Sequence, residues 1–310
     1  MSIYEHLSEF AGKEVVDYEP GLKIDPQSQV YRIRVEYDSE HEAVDLLTSL
    51  LSQDAAEQLE GLIIGMWASE MYDNPPNALV ETLVAAAPRL PQLRALFLGE
   101  MISEENEISW IYQTDISPIW AAFPRLEELR IRGSQGLSLG QSPAHANLKT
   151  LAIECGGLPR SVLAEISKAD FPHLESLELY LGTDNYGWDG SVADLETILS
   201  GKLFPKLKYL GLRDSELADE VAAAVAQAPV LERIEVLDLS LGTLGDVGGE
   251  ALLNSPAVAK LKRLDLSHHY LSEEMQQRLA ALSVEVVMED EQTPDDWGDG
   301  ELHRYVAVSE

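Results

Sequence analysis

Four groups of residues in this 310-residue chain have types and spacings that invite a chemical reading. Gly242, Gly245, Gly248 and Gly249 lie between an extended stretch and a helical one, where a phosphate loop would sit. Their spacing is not G-x-G-x-x-G, and the same place elsewhere in the chain is an ordinary turn, so nucleotide binding is not expected. Asp238, Asp265 and His268 could combine carboxylates with an imidazole, as a small-molecule or enzymatic site requires. His268 and His269 are neighbours on an extended stretch and point to opposite sides, so one metal ion cannot easily take both. Asp295, Asp296, Asp299 and Glu301 lack the alternation and closing glutamate of a calcium loop. No nucleophile motif or metal-ligand spacing accompanies them, so no cofactor and no metal is expected, and the chain reads as non-enzymatic.

The arginines are more informative, and their meaning depends on a repeat. Leu207-Lys208-Tyr209-Leu210-Gly211-Leu212 reads L-x-x-L-x-L. Its middle apolar residue recurs at positions 33, 62, 96, 129, 151, 177, 210, 237 and 264. A repeat of this length is a solenoid unit that cannot bury its apolar face alone and must stack on its neighbours. Each copy alternates like a strand with one buried face. Between most copies lies a helical stretch: Ser215 to Ala228 places Leu217, Val221, Ala224 and Val225 at helical spacing. Ser191 with Asp194 makes a capping-box-like start, and Ser272 precedes Glu273 and Glu274. The step from 129 to 151 is too short for a helix, so Gly133, Gly136 and Gly140 mark an outer loop there.

The stretch Leu237 to Ser255, with its G-D-x-G-x-x-A-L turn and helix start, resembles the ribonuclease-inhibitor class of leucine-rich repeats. The resemblance covers roughly residues 28–288 and extends to cytoplasmic bacterial repeat proteins without an assigned activity. It implies an α/β horseshoe of about nine repeats, with a parallel inner sheet and helices and loops outside, and a partner-binding scaffold with no chemistry of its own. The chain departs from the cysteine-rich inhibitors in having one cysteine, Cys155, which permits no internal disulfide and reads as a packed thiol. An N-terminal cap over 1–27 and an acidic tail over 289–310 complete the expected organisation. Tyr4, Leu7 and Phe10 have helical spacing. The tail carries Gly298 and Gly300 and reads as mobile, with Arg304 to Val308 able to return as a cap or edge strand.

The register L-x-x-L-x-L-x puts the third, fifth and seventh positions on the inner face. Six of the chain's 13 arginines fall there: Arg32, Arg34, Arg130, Arg132, Arg213 and Arg263. Chance placement would put about one there, and no lysine joins them. The acids on the face are Glu36, Glu128, Glu154, Glu178, Asp238 and Asp265, so it is neutral within a chain of net charge -32. Arginine pairs with carboxylates at two points and, with tyrosine, is enriched at binding hot spots. The expected partner site therefore comprises Phe97, Arg130, Arg132, Glu154, Glu178, Tyr180, Tyr209, Arg213, Asp238, Arg263 and Asp265. Asp238 and Asp265 share a row on adjacent strands, about 4.8 Å apart, which invites a basic visitor. The opposing expectation is a self-satisfied ladder in which Arg132 pairs with Glu154. Three long loops add a rim of aromatics: Trp67 and Tyr72, Trp110 and Tyr112, Tyr186 and Trp188.

The strong negative charge disfavours nucleic acid and anionic membranes as partners and suits a protein or peptide that carries basic groups. The first residues lack a basic-then-apolar leader, and no apolar run approaches the roughly 20 residues of a membrane span, so a cytoplasmic protein is expected.

Overall fold

A computed structural model describes residues 3–68, 74–298 and 300–309. The chain divides into two compact units, Met1–Glu154 with Lys168–Pro172, and Cys155–Ser167 with His173–Ser309. Both are built from the same unit, a short strand followed by a helix or loop and a return. The fold is an α/β leucine-rich repeat solenoid.

In the first unit the strands are β1 (Glu9–Phe10), β2 (Lys13–Asp17), β3 (Gln29–Ile33), β4 (Gly61–Ile64), β5 (Ala95–Leu98), β6 (Glu128–Arg132) and β7 (Thr150–Glu154). They lie side by side in chain order, parallel from β2 onward, with β1 antiparallel to β2. Leu62, Leu96, Leu129 and Leu151 stand in one row. All four are fully buried, each contributing roughly 1.5–3 kcal/mol by leaving water. In the second unit β8 (Ser176–Gly182), β9 (Tyr209–Ser215), β10 (Val236–Asp238), β11 (Arg263–Asp265) and β12 (Glu285–Val287) repeat the pattern. Leu177, Leu210, Leu237, Leu264 and Val286 form their row.

Helices Ala43–Leu51, Asn77–Ala85, Ala218–Val225, Asp246–Leu253 and Glu273–Ala280 supply the outer layer. Ser191 and Asp194 form the full capping box, although it opens a 3-10 turn over Val192–Leu195. The Ser272 hydroxyl accepts from Met275 N–H and starts the Glu273–Ala280 helix. Between β6 and β7 there is no helix, as the short step requires. Among the described residues no helix is long and apolar enough to cross a membrane.

Four features depart from the sequence-based expectation. The first copy is shifted: Tyr31 and Ile33, not Ile33 and Val35, stand opposite Leu62 and Ile64. Val30, Arg32 and Arg34 are therefore its inner-face residues, and Glu36 lies beyond it, exposed. β2 already belongs to the parallel ladder, so the ladder begins before the expected boundary at residue 27. Residues 3–8 form no helix. In the tail, β13 (Asp295–Asp296) and β14 (Leu302–His303) make a small antiparallel pair of their own, with Trp297 stacked on His303 at 4.4 Å between ring centroids. Residues 304–308 fold back against the second unit, where Val306 and Val308 are buried.

Candidate functional site

The inner-face arginines sort into three networks, each within one unit. In the first unit, Arg32 and Arg34 both reach back one strand to Asp17, each Nε lying 2.8 Å from one of its oxygens. Arg32 also meets Glu100 at 2.9 Å and Arg34 meets Glu105 at 2.8 Å. His6 lies between the same two glutamates, at 3.1 Å and 3.2 Å. Hydrogen bonding to Glu100 and then Glu105 pushes its imidazole up to about 9. Burial works against the Asp17 carboxylate, but the hydrogen bonds and charges of Arg34 and Arg32 outweigh it and hold Asp17 below its usual range.

The second network joins β6 and β7. Arg130 Nε donates to Glu128 at 2.7 Å. Arg132 reaches Glu154 through both Nε (2.9 Å) and Nη2 (2.7 Å), and its Nη1 donates to Met101 O. Its guanidinium lies over the Phe97 ring, 5.6 Å from the centroid. Arg132, Glu154 and Phe97 are at most 1 % exposed. Arg132 thus pairs with Glu154 across the two strands, while Glu154 Oε1 has no hydrogen-bond partner among the described residues, and these three side chains are buried.

The third network spans β8 to β11. Gly211 has no side chain, and Tyr209 lies across it; a Cβ there would come within 3.0 Å of the phenol oxygen. The phenol thereby reaches Glu178 on one side (2.9 Å) and Asp238 on the other (2.8 Å). Burial, then the charges of Glu178 and Asp238, raise the Tyr209 hydroxyl, so it remains a donor. One hydroxyl hydrogen cannot serve two carboxylates, and Arg213 completes the set, meeting Glu178 at 3.2 Å and Asp238 at 3.4 Å. The Arg213 guanidinium rests over Tyr180, 5.1 Å from its ring centroid, and Tyr180 is fully buried beneath it.

Asp238 and Asp265 do stand opposite one another on β10 and β11. Each has a donor set: Asp238 takes Ser240 N–H and the groups above, and Asp265 takes Arg263 (2.9 Å), Ser267 Oγ (2.8 Å) and Ser267 N–H (3.1 Å). Burial opposes the Asp265 charge, but the bonds from Arg263 and Ser267 keep its carboxyl low. His268 is not drawn into this group. Its Nδ1 contacts Asp290 at 2.9 Å and its Nε2 contacts Tyr305 O at 3.2 Å. Asp238, Asp265 and His268 are therefore not brought together as a reactive set. Among the described residues no group of three or more His, Cys, Asp or Glu side chains is placed to hold a metal ion.

No protein-family model matches the chain, and no curated protein matches it. A solved structure of a Bacteroides fragilis protein, a structural-genomics target, matches with a TM-score of 0.78 and 31 % identity, covering 90 % of this chain and 76 % of that one. The chain belongs to the same family as that protein. More distant likenesses are TLR13 in complex with ssRNA13 (15 % identity, TM-score 0.44, 85 % of this chain and 31 % of that one) and an internalin of Listeria monocytogenes (13 %, 0.43, 86 % and 62 %).

The aromatic rim is uneven. Trp67 is buried, its Nε1 donating to Asn74 O, and Trp188 is buried with its main-chain N–H donating to Thr183 O. Trp110 is half exposed at 50 %. Tyr112 and Tyr186 are partly buried. Tyr72 lies outside the described residues. Cys155 is buried, its thiol 3.4 Å from Tyr180 O. Sequence reasoning missed Asp17, Glu100, Glu105 and His6, which complete the first network. The signal for Asp17 was the β-branched Val15-Val16 pair, which marks a strand ahead of the first copy; the loop glutamates left no periodic trace.

Proposed function

We propose that the protein is a non-enzymatic, cytoplasmic interaction scaffold of the ribonuclease-inhibitor-like repeat class, and that it binds a basic protein or peptide on the inner face of its second unit. The observation that carries this reading is the charge held there. Four carboxylates, Glu178, Asp238, Asp265 and Glu285, face two guanidiniums, Arg213 and Arg263. Arg213 is committed to the inner pair of acids, while Arg263 and Glu285 are 45 % and 65 % exposed. A preorganised, formally anionic strip favours guanidinium and ammonium groups, speeds their encounter and disfavours acidic competitors. Tyr209 fixes the two acids around it without adding positive charge, so complementarity is built before a partner arrives.

A reactive site at Asp238, Asp265 and His268 has less support, because His268 is engaged with Asp290 and Tyr305. The test is titration of the protein with an array of lysine- and arginine-containing peptides and their glutamate counterparts. The basic set is expected to bind, to weaken as salt screens the strip, and to lose about tenfold in affinity with Asp265→Asn plus Glu285→Gln. Binding that prefers the acidic set, or ignores both substitutions, contradicts the proposal.

A further inference from the structure

The inner face of the first unit is covered. Its central positions, Val30 and Ile63 from β3 and β4 and Ala95 and Phe97 from β5, are at most 3 % exposed. The cover is the chain's own residues 3–10. Phe10 packs into the cluster, 6.2 Å from the Phe97 ring, and Leu7 closes over it with Val15. The main chain is tied on both flanks. Leu7 N–H donates to Glu100 at 2.8 Å, Arg32 Nη2 donates to Leu7 O at 3.4 Å, and Ser103 N–H donates to Ile3 O at 2.9 Å. His6 stands between Glu100 and Glu105.

Only Glu9–Phe10 of this segment joins a strand ladder. Residues 3–8 are held by side-chain anchors and single hydrogen bonds, much as a docked peptide is held. They lie on the face that a leucine-rich repeat leaves open, over apolar side chains in rows that carry Glu178, Asp238, Arg263 and Asp265 in the second unit. We infer that residues 3–10 are a self-bound ligand, a strap over a peptide groove on the first unit's inner face. The groove's other occupant is an extended partner segment of the same chemistry: a cationic residue, an aliphatic residue next to it, and an aromatic residue three positions further on. The strap and the partner compete for one groove, so the face is available only when the strap leaves. This inference shares with the scaffold reading only the premise that the protein has a partner, and it is tested without one.

The probe is a fluorescein-labelled peptide with the sequence of residues 3–12. In the wild-type chain the tethered strap outcompetes it, because a covalently linked segment acts at millimolar effective concentration. The full-length chain carrying His6→Glu places a third carboxylate between Glu100 and Glu105 and releases the strap. It is expected to bind the probe at least tenfold more tightly than wild type, and a probe with Phe10→Ala is expected to lose at least tenfold. Amide exchange on the unaltered wild type is the second readout, and it does not depend on the variant folding. Residues 3–8 are expected to exchange well before β4 and β5. Equal probe binding by the two chains, or exchange of residues 3–8 only together with β4 and β5, overturns the inference and leaves the second unit's face untouched.

Discussion

Arg132 and Glu154 stand opposite each other on adjacent parallel strands, 2.7 Å apart, with side chains 2 % and 0 % exposed. The pair is a structural element of the sheet, and it sets the limit on what charge reversal of the inner face can reveal. Removing one partner leaves a buried charge without its counter-ion, which costs about 3–5 kcal/mol, whereas replacing both with apolar residues of similar volume is often neutral. Glu154→Gln is expected to lower urea stability by several kcal/mol, and Arg132→Met with Glu154→Leu by much less. Equal losses would show that the ion pair itself, not its uncompensated remnant, dominates.

The His6 network should be visible in pH dependence. His6 faces Glu100 and Glu105 from the loop after β5, with Asp17 of β2, Arg32 of β3 and Arg34 just past β3 beside them. These groups sum to zero charge only with His6 protonated. Its folded value of about 9 lies above the ordinary 6.5. The stabilisation is therefore complete below about pH 6.5 and is lost as pH rises through about 9. In urea unfolding, the gap between wild type and His6→Gln is expected to be largest at pH 6 and to close by pH 10. A gap that persists at pH 10 would assign His6 a role independent of its charge.

Asp214 anchors the returning tail. It is fully buried with φ of 55°, and its Oδ1 accepts Val308 N–H at 2.9 Å. Burial pushes this carboxyl well above its usual range, against the pull of the Val308 and Ala307 N–H groups and Arg213. Asp214→Ala removes the acceptor and strands buried donors, at about 1–3 kcal/mol. Limited proteolysis is expected to cut residues 304–309 several-fold faster in that variant, with cleavage elsewhere unchanged.

Gly182 closes β8 with φ of 75°, and a Cβ there would lie 1.9 Å from Gly156 O. Both the left-handed backbone and the close approach exclude a side chain. Gly182→Ala is expected to cost more than about 2 kcal/mol by denaturation, since strain at such sites is about 1–3 kcal/mol before any overlap. A near-neutral effect would mean that the 156–157 segment moves aside freely.

Much of the fold was legible because leucine spacing reports a buried row directly: Leu96, Leu129, Leu151, Leu210, Leu237 and Leu264 all stand where the repeat puts them. The first copy slipped by two residues for a physical reason. From Tyr31 to Val35 every second residue is apolar, and a two-residue slip leaves each side chain on the same face. Arg32 and Arg34 thus stayed on the inner face although the register was wrong. The alternation shows which way a side chain points but not what covers it. Phe97, Arg132, Glu154 and Tyr180 lie on inner-face positions, yet they are buried, Phe97 beneath Phe10 and Arg132, and Tyr180 beneath Arg213. The strap was hidden because Tyr4, Leu7 and Phe10 mimic helical spacing while packing onto a sheet. The tail looked solvated because its acids outnumber its anchors, and Val306, Val308 and Asp214 decide its course.

The most direct measurement is site-specific photo-cross-linking in cells that make the protein, with the reactive residue placed at Glu285 on the inner face of the second unit or at Glu274 on the outer Glu273–Ala280 helix. The expected result is a discrete adduct from position 285, absent from position 274, whose cross-linked segment carries lysine or arginine. Adducts from position 274 alone, or an acidic segment at position 285, would contradict an inner-face scaffold for a basic partner.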